Sequence, residues 1–223
     1  MSLQRSNTKG ASHFLKQGVD EVVLIGSVRR PSLREIIPDW YTFKFLCSIW
    51  SQKLGDDALL RRIIQLFEKE GMKVIGIQDV IPNLQVPEGV LGKINPTKLE
   101  KSDVDYGFEI AKKLGQVDVG QGVIVQQGLV LSLEGIEGTD ALIKRTKQLK
   151  RKGGSGVLVK VSKPQQDLRV DMPTIGMNTV RLIHESGLKG IAVEADSVLL
   201  VDIEKTIELA DKLGVFILGL KAK

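Results

Sequence analysis

Apolar and polar positions along the chain fall into short runs, and the period of each run predicts its element. In QGVDEVVLIGSVRRP the residues Val22 to Ile25 are continuously apolar and stop at Gly26, the pattern of a buried parallel strand followed by a loop at its carboxyl end. From Leu54 to Gly71 the apolar positions Leu59, Leu60, Ile63, Ile64 and Phe67 recur at helical spacing. Asp56 or Asp57 can accept from the first-turn N–H groups, and Gly71 ends the helix. MKVIGIQDVI, Met72 to Ile81, returns to a strand pattern, which predicts a βαβ unit with right-handed crossover. Between Pro82 and Asp103 no period is sustained, and Pro82, Pro87, Gly89, Gly92 and Pro96 interrupt the stretch. A domain boundary near residue 95 follows, with an N-terminal α/β domain over 1–95 and a C-terminal one over 96–223.

The second half reads as alternating helices and strands. A helix opens at Ser102 or Asp103 and closes at Gly115; GVIVQQGLVLSLEG then forms a β-hairpin about Gln126, Gln127 and Gly128. EGIEGTDALIKR is a glycine turn feeding a helix that starts at Thr139 or Asp140 and is closed by Gly153 and Gly154. GVLVKVS, Gly156 to Ser162, is a buried strand. Asn178 or Thr179 caps a short helix ended by Gly187, GIAVEADSVLLVD gives two strands about a turn, Asp202 caps Ile203 to Leu213, and VFILGL closes the fold. The predicted class is α/β: an N-terminal Rossmann-like parallel βαβ domain, incomplete, and a mixed α/β C-terminal domain.

Composition narrows the classes. With 42% hydrophobic and 26% charged residues the chain is an ordinary globular one. No apolar run approaches the ~18 residues that span a bilayer, and no signal sequence opens the chain, so the cytoplasm is expected. The one cysteine, Cys47 in FKFLCSIW, reads as a core residue, and two histidines, His13 and His184, are too few for a histidine-rich zinc site. His184 reads as a helix-end partner. The net charge of +5 is concentrated in KRTKQLKRK, Lys144 to Lys152, which has no aromatic residue for a base to stack on. Nucleic acid is therefore not expected. A phosphate, an anionic lipid surface or simple solvation accounts for the basic run.

The densest chemistry lies in KPQQDLRVDMPTIG, Lys163 to Gly176. Asp167 and Asp171 stand four apart with Arg169 between them, so an extended backbone would turn all three to one side. Paired carboxylates repel unless a proton, cation or metal intervenes, and Lys163 and Arg169 supply charge for an anion. The set suits a phosphate with a divalent metal held by oxygen, magnesium or manganese; it equally suits a solvated loop whose acids cap a helix. At EGIEGTD the turn before the helix presents unpaired N–H groups suited to a phosphate, with Glu134 and Glu137 able to meet a cation. Ser27, Arg29 and Arg30 follow the first strand, where ligands bind in open α/β sheets.

KPQQDLRVDMPTIG together with GLKGIAVEA resembles the C-terminal domain of the two-domain UDP-2,3-diacylglucosamine pyrophosphatases of lipid A synthesis, not the calcineurin-like type. GSVRRP, GDDALLR, DVGQGVIV and EGIEGTDALIKR extend the resemblance in compatible order from about Gly18 to Gly219. The strand and glycine-rich turn that usually open this family have no counterpart in Met1 to Gly18. The resemblance implies metal-dependent hydrolysis at the α-phosphorus, giving UMP and 2,3-diacylglucosamine 1-phosphate. For that chemistry the expected catalytic residues are Asp171 and Asp167, the expected ligands of Mg2+ or Mn2+ are Asp167, Asp171 and Glu137, and substrate contacts are expected from Lys163, Arg169, Gln166, Gly138, Thr139, Arg145, Gln121, Arg29 and Arg30. The substrate would be UDP-2,3-diacylglucosamine, met by a peripheral protein at the inner face of the cytoplasmic membrane through the Lys144 to Lys152 run. A homodimer is the base-rate expectation. A non-catalytic nucleotide-sugar-binding module on the same scaffold is the alternative. The Lys163 to Gly176 and Glu134 to Asp140 segments should converge in one cleft facing the N-terminal domain.

Overall fold

The computed structural model describes residues 17–26 and 56–221. His13, Arg29, Arg30, Ser27 and Cys47 lie outside them, as do the side chains of Asp56 and Asp57. Two compact units are formed, one by the described residues up to Val80 together with Asp167–Asp171, the other by Ile81–Gln166 and the chain from Met172 onward.

In the first unit β1 (Glu21–Val23) pairs in parallel with β2 (Lys73–Ile75), and helix α1 (Asp56–Lys69) precedes β2. The expected stripe is visible: Ile64 is buried, while Leu60, Ile63 and Phe67 are partly covered. Strand β2 is shorter than predicted. Gly76 N–H donates to Asp79 Oδ2 at 2.8 Å, and the chain turns into α2 (Ile77–Val80). A local carboxylate cap thus diverts a run whose apolar pattern alone reads as strand.

The second unit is built on a six-stranded sheet in the order β3 (Gly89–Leu91), β10 (Phe216–Leu220), β8 (Gly190–Glu194), β6 (Val157–Lys160), β4 (Gly122–Gln126), β5 (Leu129–Leu133). The central β10, β8 and β6 are parallel; β3, β4 and β5 join antiparallel. Successive residues point to opposite faces, as the strand period requires. Val157 and Val159 face one way with Ala192 and Phe216, toward Val104 and Ala111 of α3 (Lys98–Gln116). Leu158, Ile191, Val193 and Ile217 face the other, packing with α4 (Thr139–Thr146), α5 (Met177–Glu185) and α6 (Ile203–Leu213). The helix α3 lies close to the sheet because Gly107 has no side chain: a Cβ there would stand 2.6 Å from Val159. A small parallel pair, β7 (Thr174–Ile175) with β9 (Leu199–Leu200), completes the unit. The two-domain α/β class read from the sequence therefore holds.

Several boundaries differ for identifiable reasons. Helix α3 starts at Lys98, not near Ser102, because Thr97 and Glu100 form a capping box: Thr97 Oγ1 accepts from Glu100 N–H at 3.3 Å, and Glu100 accepts from Thr97 N–H at 2.7 Å. Asp103 is free of capping duty and buried inside the helix, where it serves the hairpin instead. Helix α5 begins after Gly176, so Asn178 and Thr179 lie in its first turn. Asp202 occupies the cap position of α6 without a side-chain cap bond. The basic run from Lys144 is helical only to Thr146. His184 ends α5 as expected, with Nδ1 3.1 Å from Leu213 O.

Candidate active site

Strands β6, β8 and β10 end at one edge of the sheet, and α5 and α6, which return the chain between them, start there. Because β4 runs antiparallel to β6, the start of β4, the end of β5 and the first turn of α4 share that edge. Chain reversal alone therefore gathers residues from distant motifs at the carboxyl ends of the parallel strands, where open α/β sheets bind ligands.

Lys160 is buried and its ammonium donates to Thr174 O at 3.1 Å. Lys163, half-buried, pairs with Asp118 at 2.7 Å, and its N–H donates to Gln166 Oε1 at 3.1 Å. Val161 N–H donates to Gln121 O at 3.0 Å, which joins the β6 end to the β4 start. Glu134 is buried beside them: Oε2 accepts from Gln121 N–H at 3.2 Å and Oε1 from Thr139 Oγ1 at 2.7 Å. Gly138 and Gly176, the N-cap residues of α4 and α5, give neither helix a side-chain cap. Asn178 Nδ2 donates to Asp140 Oδ2 at 2.8 Å, tying the two first turns together. The amide oxygen of Gln121 is buried without a hydrogen-bond partner.

Lys163, Gln166, Gln121, Gly138 and Thr139 are thus brought to one edge. Arg145 and Glu137 bind each other at 2.8 Å, and Arg145 also reaches Leu133 O. The Glu137 carboxyl is held below the usual range by its own backbone N–H and by Arg145.

In the first unit, Asp167 to Asp171 form a turn, not an extended segment: Asp171 N–H donates to Asp167 O at 3.0 Å and Val170 N–H to the same oxygen at 3.1 Å. Both carboxylate oxygens of Asp167 are taken by Arg169, Oδ1 by Nε at 3.0 Å and Oδ2 by Nη2 at 2.7 Å. The guanidinium also donates to Glu68 at 3.0 Å and Val74 O at 3.3 Å. Among the described residues no cluster of three or more acidic, histidine or cysteine side chains is arranged to hold a metal. Of the expected metal ligands, Asp167 and Glu137 are engaged by arginines.

The Arg169 fork holds the Asp167 carboxyl below its ordinary value, with burial opposing. A depressed folded-state value means stability that is present above the unfolded value of about 3.9 and lost as pH falls through the lower folded one. Asp167→Asn should therefore cost up to about 1 kcal/mol at pH 6 and less at pH 2. Urea unfolding of both proteins at the two pH values reads this directly; an equal difference at both would show that the pair contributes through packing alone.

Glu194, Lys112 and Lys160 were not singled out from the sequence, and Asn178 only as a possible helix cap. Glu194 carried a signal: it is the one charged residue in the apolar run GIAVEA. The end of the basic run lies elsewhere. Gln126, at the far end of β4, accepts from Arg151 N–H at 2.9 Å, and Lys150 donates to Gly187 O at 2.5 Å, at the edge opposite Lys160.

Helix starts without side-chain caps, the buried Lys160 and the buried Glu134 thus lie at the carboxyl edge of the parallel strands of an α/β protein, the edge at which such folds bind ligands. The chain belongs to the LpxI family: residues 6–84 match the LpxI N-terminal domain and residues 87–218 the LpxI C-terminal domain. UDP-2,3-diacylglucosamine pyrophosphatase LpxI of Caulobacter vibrioides is 42% identical over 210 residues, covering 91% of this chain and 75% of the relative.

Proposed function

We propose that this chain hydrolyses the diphosphate of UDP-2,3-diacylglucosamine, releasing UMP and 2,3-diacylglucosamine 1-phosphate, the activity for which its Caulobacter relative is named. The observation that carries the reading is the pair of uncapped helix starts at Gly138 and Gly176, joined through Asn178 and Asp140 beside Lys160. Two adjacent sets of free N–H groups with a cation match a diphosphate.

Water attacks the α-phosphorus, its proton passing to Asp171, while the bond from that phosphorus to the bridging oxygen breaks and the bridging oxygen leaves on the sugar 1-phosphate. Asp171 takes the role of base in this scheme on the family resemblance, while Asp167 is bound by Arg169. Thr139, Gln121 and Gln166 orient the phosphates, with Lys163 and Arg169 lending positive charge. Asp171 would hold a divalent ion, magnesium or manganese, which would supply neutralisation of the diphosphate charge.

Among the described residues no helix is long and apolar enough to cross a membrane. We propose contact with anionic lipids through the Lys144 to Lys152 run, whose Lys150 and Arg151 lie at the edge opposite Lys160. Homodimerisation belongs to the same proposal.

A phosphatase-coupled assay of UMP release, with magnesium, manganese or chelator, tests the reading. Release that depends on the ion is expected, and in labelled water the heavy oxygen should enter UMP. Binding of the substrate without any UMP release would select the non-catalytic module instead.

A further inference from the structure

The parallel strand β8 is buried along its length and apolar until its last residue, Glu194, which is 4% exposed. A carboxylate in such a place is expected to be fully partnered. Glu194 Oε2 accepts from Ser162 N–H at 2.9 Å and from Ser162 Oγ at 2.6 Å, and Oε1 accepts from Lys112 Nζ at 2.5 Å. The same ammonium donates to Ser162 O at 3.3 Å and sits 5.7 Å from the centre of the Phe108 ring. The amide, hydroxyl and carbonyl of Ser162 are therefore all held by one ion pair.

Ser162 is the last residue before Lys163, where the chain leaves β6 for the motif. We propose that Glu194, braced by Lys112, is a positioning residue that fixes Ser162 and with it the direction in which Lys163 to Gln166 departs from the sheet. Stability alone is a poor account of the pair, since apolar replacement of a buried ion pair is often neutral or favourable. A pair that captures every polar group of one residue at a strand exit sets geometry, and a misplacement of about 1 Å at a reacting group can cost a hundredfold in rate. The assignment rests on the hydrolytic reading for its kinetic consequence, whereas the clamp itself is a matter of backbone order.

The test uses the full chain with Glu194→Gln and, as a milder variant that keeps the ion pair, Ser162→Ala. Amide hydrogen exchange over residues 162–166 should quicken by about tenfold in Glu194→Gln and less in Ser162→Ala, with β8 and β10 unchanged. In UMP release, kcat should fall about tenfold to a hundredfold while KM stays within about twofold. Exchange over 162–166 that is unaltered in both variants, or quickened equally throughout the sheet, overturns the proposal. If Glu194→Gln fails to fold, Ser162→Ala decides by the same local exchange. Absence of UMP release from the unmodified chain would defeat the hydrolytic reading, and the exchange pattern would still decide the clamp.

Discussion

Replacing Asp171 with alanine should lower UMP release by about a thousandfold or more while leaving the protein folded. The bond that shapes the local turn, from Asp171 N–H to Asp167 O, belongs to the main chain and survives the substitution. What is lost is the carboxylate proposed to take the proton from water. Asp171→Asn keeps the shape and removes the charge, so it should be nearly as inactive, and thermal unfolding of both variants should stay close to that of the unmodified protein. Turnover within about tenfold of normal in either would remove Asp171 from the mechanism.

The second large effect is on stability. Asp103→Ala should destabilise the second unit by about 3 kcal/mol. Asp103 is 1% exposed, and its two oxygens accept from Gln127 N–H at 2.8 Å and Gly128 N–H at 2.6 Å. Those amides form the tip of the β4–β5 hairpin, where Gln127 and Gly128 both take left-handed φ of 53° and 73°. The carboxylate thus fastens the hairpin to α3 through bonds to a charged acceptor, each worth about 1.5–3 kcal/mol. Asp103→Asn, with one acceptor oxygen, should lose roughly half as much. At this chain length the alanine variant should melt about 6–12 °C lower. A shift under about 2 °C would show that water replaces the carboxylate at the turn.

The candidate site was legible in part. Lys163, Gln166, Gln121, Gly138 and Thr139 reached one edge because each motif ends or begins a strand, and in an open sheet those ends coincide. Asp167 was visible as half of a carboxylate pair with Arg169 beside it. That the arginine would wrap both oxygens of its near neighbour, and reach Glu68, depended on a turn at Asp167 to Asp171 and on residues about a hundred positions away. Glu194 is the clearest omission: its charge within an apolar run was in view, but its partners, Lys112 and Ser162, come from other elements.

The sequence by itself determined the elements and the family, since strand and helix periods, the Gln127–Gly128 turn and the ordered motifs are local in the chain and need no neighbour to be read. Only the tertiary structure decided which acids are spent internally, which helix starts stand side by side, and that Lys150 and Arg151 lie at the edge away from the site while Arg145 of the same basic run reaches Leu133 and Glu137. The physical reason is that periodicity records which face of an element is buried, whereas the partner of a charge is set by strand order and crossover, through contacts between residues far apart in the chain.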